Sequence, residues 1–125
     1  MNIKQSLLNA QNWEDKYRLL IRLGKTLTKP EDLENYTPIS GCEVNLWAKI
    51  MRNSDRTLTL SAYSEARIMN GLLVILMNEV NGKTVKQLDN FHFSDFFREL
   101  GIAQRLSSTR LNGLQQIETL IKEQK

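Results

Sequence analysis

Between residues 44 and 63 the hydrophobic pattern changes period, and that change limits the fold more than any other feature of the chain. Val44, Leu46, Ala48 and Ile50 alternate with Asn45, Trp47, Lys49 and Met51, as in a strand with one buried face. Asn53-Ser54-Asp55 is turn chemistry. Leu58, Leu60 and Ala62 then alternate with Thr57, Thr59, Ser61 and Tyr63. Two such runs around a short polar turn predict an antiparallel hairpin.

Helical spacing returns on both sides. Residues 13–27 predict a helix, with Trp13, Tyr17, Leu20, Ile21 and Gly24 on one face. Asn12 is its expected N-cap, Glu14 and Asp15 suit its first turn, and Lys29-Pro30 ends it. A shorter helix is expected around Ile3–Leu8. Residues 28–41 read as a loop carrying Pro30, Pro38 and Gly41.

After the hairpin, Ser64 is expected to cap a helix with Glu65 at its first position, running to about Val80. Leu72–Met77 is apolar nearly all round, as expected of a buried central helix, and Asn81-Gly82 stops it. Thr84 is expected to cap a short helix through Leu88, and Ser94 another ending at Leu100. The last helix starts near Ser107 or Ser108. It has an apolar stripe of Leu111, Leu114, Ile117 and Ile121 and a polar side of Gln115, Gln116, Glu118 and Lys122. The order helices, hairpin, helices predicts an α+β fold, a small antiparallel sheet with helices packed on one face.

At 125 residues one domain over 1–125 is expected. Seventeen basic and fourteen acidic residues leave +3. The excess is too mild, and the basic residues too scattered, for a nucleic-acid partner. The start lacks a charged-then-apolar export pattern. The six-residue apolar run at 72–77 is far short of the roughly 20 residues that span a bilayer. No membrane partner is expected, and the expected compartment is a reducing cytosol.

There the one cysteine, Cys42, stays a free thiol. A free cysteine is commonly a small buried hydrophobe. Its place between Gly41 and the start of a strand speaks for display instead. Glu43 beside it raises the thiol pKa if it acts at all. His92, the single histidine, reads first as a partly exposed loop histidine between core phenylalanines in Phe91-His92-Phe93, with a Cys–His pair as the lesser reading. One cysteine and one histidine are too few for a zinc or iron–sulfur site, so no metal is expected. Gly24-Lys25-Thr26 and Gly82-Lys83-Thr84 lack the glycine-rich loop of a phosphate site. Arg110 reads equally as a solvated arginine or as a cation near the thiol. The phenylalanines at 91, 93, 96 and 97 read as core.

Four blocks together resemble the SufE/CsdE family of sulfur-acceptor proteins. They are Trp13-Glu14-Asp15-Lys16-Tyr17-Arg18 with Leu23-Gly24-Lys25; Gly41-Cys42-Glu43 with Trp47; Ser64-Glu65-Ala66-Arg67-Ile68 with Gly71-Leu72-Leu73; and Leu106-Ser107 with Arg110, Asn112, Gly113 and Leu114. Gly-Cys-Glu and the first block lean toward the CsdE branch.

The resemblance implies a SufE-like α+β fold, also seen in iron–sulfur scaffold proteins. It implies a sulfur carrier and activator, not a free-standing enzyme. Cys42 would accept persulfide sulfur from a cysteine desulfurase that depends on pyridoxal phosphate (PLP). It would pass the sulfur to iron–sulfur assembly or another sulfur-requiring pathway. The PLP belongs to the partner, and no cofactor is expected on this chain. Gly41 would be a loop hinge, Arg110 matches an arginine near the active loop, and Glu43, Ser64, Glu65 and Arg67 fall in or near the partner surface. Tyr63 stands where the family often has aspartate. The alternative is a thiol peroxidase or reductase using Cys42 with His92.

Overall fold

The computed structural model describes residues 2–40 and 44–124. Among them the chain forms α1 (Ile3–Asn9), α2 (Trp13–Gly24), β1 (Thr37–Pro38), β2 (Leu46–Arg52), β3 (Leu58–Ser64), α3 (Arg67–Val80), α4 (Phe93–Glu99) and α5 (Ser108–Lys122). Short 3-10 turns lie at Leu33–Asn35, Lys86–Leu88 and Ala103–Arg105. None of the helices is long and apolar enough to cross a membrane.

The expected hairpin is present, in register from Leu46 opposite Ser64 to Arg52 opposite Leu58. At its turn the left-handed residue is Arg56, with φ of 72°. The sheet is wider than expected. In the stretch read as a loop, Thr37 and Pro38 pair with Ala48 and Trp47, giving the order β1-β2-β3. Two residues are too few to show an alternation, and a proline is compatible only with an edge.

Leu46, Ala48, Leu58, Leu60 and Ala62 are buried on the inner face, where α3 packs on β3 and α5 on β2. The other face carries Trp47, Lys49, Met51, Thr59, Ser61 and Tyr63, half-buried or exposed. There Lys49 donates to Asp32 at 3.0 Å and lies 5.6 Å from the Tyr36 ring centre, tying the preceding loop to the sheet.

The outward edge of β3 is covered by the chain itself. Leu58 N–H donates to Lys83 O at 2.8 Å, and Gly82 N–H to Leu58 O at 3.0 Å. Asn81 accepts from Leu60 N–H at 2.7 Å and donates to Leu60 O at 3.4 Å. Asn70 does the same at Ser64, at 2.8 and 2.7 Å. Each side-chain amide stands in for a residue of a neighbouring strand, satisfying backbone groups that burial would otherwise leave costly.

Helices α2 and α3 touch backbone to backbone. A β-carbon on Gly71 would run into the carbonyl of Leu20, with the Leu20 carbonyl carbon 2.8 Å away. A β-carbon on Gly24 would run into the carbonyl of Arg67 and lie 3.0 Å from Gly71 N. Two of the glycines in the quoted sequence blocks therefore serve helix packing. The expected single face of α2 divides accordingly. Leu20 and Gly24 are buried, whereas Trp13 and Ile21 are half-buried and Tyr17 is exposed. Asn12 caps α2 as expected, accepting from Asp15 N–H at 2.9 Å.

One expected cap is replaced by a tertiary one. Ser94 lies inside α4, whose N-terminus is capped by Glu118 of α5, accepting from Phe93 N–H at 2.6 Å. Its C-terminal carbonyl, Leu100 O, accepts from Lys16 of α2 at 2.6 Å. A carboxylate at the positive end and an ammonium at the negative end both suit the helix dipole. Glu118, expected on the solvent side of the last helix, is only 5% exposed. Lys122 donates to it at 3.1 Å, and His92 Nδ1 lies 3.4 Å from it.

Burial is the largest influence on the Glu118 carboxyl and pushes its pKa up. The Phe93 N–H, Lys122 and His92 together outweigh burial and hold the carboxyl below its ordinary value of 4.5. The unfolded chain therefore takes up this proton first, and the stability Glu118 contributes is lost as pH falls below about 4.5 through the lower folded value. Glu118→Gln should lower the urea midpoint at pH 7, and the gap to wild type should narrow on acidification. A gap that stays constant with pH would show that the charge is immaterial.

Candidate functional site

Gly41, Cys42 and Glu43 lie outside the described residues, but the chain on both sides is firmly placed. Before them, Ile39 N–H donates to Leu46 O at 2.8 Å, extending the β1–β2 pairing. After them, Asn45 is held at the junction of β3 and α3. Ser64 Oγ donates to Asn45 O at 2.6 Å, Glu65 N–H reaches the same oxygen at 3.4 Å, and Asn45 Nδ2 donates to Glu65 at 3.2 Å. Val44, Asn45, Glu65 and Ala66 line an open cavity of about 280 Å³.

Ser64 has a different local role from the one expected. It is the last residue of β3, fully buried, and α3 starts three residues later at Arg67. Its hydroxyl accepts from Ala66 N–H at 3.2 Å while donating to Asn45. Of the three residues expected at a partner surface here, Glu65 and Arg67 are exposed and Ser64 is buried. Glu65 correspondingly precedes the helix.

Arg110 sits in the first turn of α5, half-buried, its N–H donating to the Ser107 cap at 3.3 Å. Tyr63 pairs across the strands with Trp47, the rings stacked at 6.3 Å and 20°. Where the family often has aspartate, this chain therefore has packing. His92 Nδ1 is engaged by Lys122 at 3.2 Å and by Glu118, a structural setting at the α4–α5 contact. No cluster of three or more His, Cys, Asp or Glu able to hold a metal occurs among the described residues.

Over residues 1–125 the chain matches the family model described as "SufE: Fe-S metabolism associated domain". The chain belongs to the SufE family. It is 54% identical over 120 residues to an uncharacterized SufE-like protein of Haemophilus influenzae, covering 94% of this chain and 95% of that protein. It is 38% identical over 121 residues to the sulfur acceptor protein CsdE of Escherichia coli, covering 95% and 82%. Its fold also matches the solution structure of a hypothetical protein from Thermus thermophilus, with a TM-score of 0.76 at 15% identity over 97% and 90% of the two chains.

Sequence reasoning had singled out neither Asn45 nor Asn70, which bind the site's flank together. Asn70 lies in an apolar helix and is only 6% exposed. A polar residue among buried positions was the available signal.

Proposed function

We propose that this SufE-family protein accepts sulfur on Cys42 from the persulfide of a PLP-dependent cysteine desulfurase, stimulates that enzyme, and delivers the sulfur onward. The supporting observation is the 38% identity to a sulfur acceptor along nearly the whole chain, which here carries one thiol.

The step is a thiol exchange. The Cys42 thiolate attacks the terminal sulfur of the desulfurase persulfide, a new sulfur–sulfur bond forms on Cys42, and the desulfurase cysteine leaves as thiolate. Nothing is oxidised or reduced overall, and no group bound to this chain is required. Freeing the desulfurase thiol readies it for another turnover, which is the basis of stimulation. Delivery repeats the exchange with a recipient thiol, in iron–sulfur assembly or another sulfur pathway. Glu43, Glu65, Arg67 and Arg110 are assigned to the partner-facing side and Gly41 to the loop hinge.

The test is intact mass after mixing the protein with a cysteine desulfurase and free cysteine, without reductant. Wild type should gain sulfur that reductant removes, and Cys42→Ser should gain none. Equal gain on both proteins would remove Cys42 from the reaction.

A further inference from the structure

We infer that the outer face of α2 is a second docking strip for the desulfurase, receiving an acidic segment with an apolar anchor. This inference rests on the acceptor reading above. Trp13, Tyr17 and Ile21 recur every four residues along the margin of the face that buries Leu20 and Gly24, with Tyr17 exposed and Trp13 and Ile21 half-buried against the core. Glu14, Arg18 and Arg22 form the adjoining row, and Lys25 continues the first.

Two adjoining depressions follow these rows. One, of about 340 Å³, is lined by Trp13, Glu14, Tyr17 and Arg18. The other, of about 350 Å³, is lined by Tyr17, Arg18, Ile21, Arg22 and Lys25. Tyr17, shared by both, is 45% exposed and, with the half-buried Trp13 and Ile21 beside it, gives the strip an apolar floor. The Trp13 ring lies 6.0 Å from the Tyr17 ring and 5.7 Å from the Arg105 guanidinium.

Charge indicates what covers the strip. Arg22 and Lys25 have no carboxylate partner among the described residues. Arg18 has only an exposed pairing with Asp15 at 3.5 Å, of a kind worth little. Arg18, Arg22 and Lys25 outnumber Glu14, the one carboxylate of the lining, and cations around an aromatic floor suit carboxylates flanking an apolar side chain. A floor preformed by fixed rings suits a protein segment better than a lipid surface. The strip also leads to the site. Its Lys25 end lies where α2 meets the start of α3, with Gly24 against the Arg67 carbonyl, and Arg67 adjoins the Glu65–Asn45 contact.

The test measures affinity for the desulfurase that loads Cys42, by calorimetry at low and high salt. It uses wild type, Arg18→Gln/Arg22→Gln and Tyr17→Ala, with thermal melts as a check on folding. Loading of Cys42 by inorganic polysulfide reports thiol reactivity independently of docking. The expected result is at least tenfold weaker binding for each variant, a flatter salt dependence for the double variant, and unchanged polysulfide loading. Unchanged affinity in folded variants would overturn the docking strip while leaving the acceptor reading intact. Should a variant not fold, wild-type affinity that does not vary with salt would overturn it equally. Failure of wild type to bind or be loaded by any desulfurase removes the acceptor reading, and this inference with it. Co-sedimentation with phosphatidylserine vesicles that the same variants abolish, with desulfurase affinity unaltered, would reassign the strip to a membrane surface.

Discussion

Gly71→Ala should destabilise the protein by about 3 kcal/mol, the upper end of the usual overpacking cost. For a domain of this size that corresponds to a melting point lower by roughly 10 °C. The sign is informative, because an exposed helix interior should gain about 1 kcal/mol from the same change. Here the added methyl meets the Leu20 carbonyl. That atom belongs to a helix backbone and cannot rotate away like a side-chain end. Helices α2 and α3 must separate, which opens the packing around Leu20, Leu72 and Leu73, all fully buried. Thermal and urea melts measure the effect. A variant as stable as wild type would mean that the two helices do not approach as described.

Asn70→Ala should cost about 2–4 kcal/mol, since it strips partners from two buried backbone groups at once. The Ser64 N–H and C=O both face inward and both rely on the Asn70 amide. Asn70→Asp should lie between alanine and wild type at acidic pH and fall toward alanine at neutral pH, where a buried carboxylate faces the Ser64 carbonyl. The effect should extend beyond global stability. Ser64 carries the hydrogen bond to Asn45, so amide hydrogen exchange of residues 44–46 should quicken more than that of the distant α4. Uniform acceleration across the chain would show that Asn70 supports the fold without any special hold on the site.

The hairpin, the central helix and the cap at Asn12 were legible because their signals are local. Alternation, apolar runs and a capping side chain three residues from its target need no knowledge of the rest of the molecule. Ser64 and Ser94 misled for the complementary reason. Both look like caps in sequence, yet the α4 end is served by Glu118 from 25 residues away, and Ser64 is committed to Asn45 across 19. The same long reach concealed Glu118, which reads as a solvent residue until α4 is placed beside it. The apolar row of α2 was legible as a row but not as one that leaves Tyr17 exposed. That depends on Gly24 and Gly71 drawing the Leu20–Gly24 part of the same face into α3, which leaves Tyr17 at its margin. At the candidate site, residue identities and the family blocks pointed to the segment around Cys42. The Asn45, Ser64 and Asn70 network beside it required the tertiary structure.

The amides of Asn70 and Asn81 also decide how this molecule can join others. A bare edge strand invites another chain to lengthen the sheet, the common route to strand exchange and fibrous assembly. Here β3 offers no such template at Leu58, Leu60 or Ser64, and the opposite edge is a two-residue strand containing proline. Where its sheet edges are closed in this way, association has to run through side chains and charge instead of shared strands.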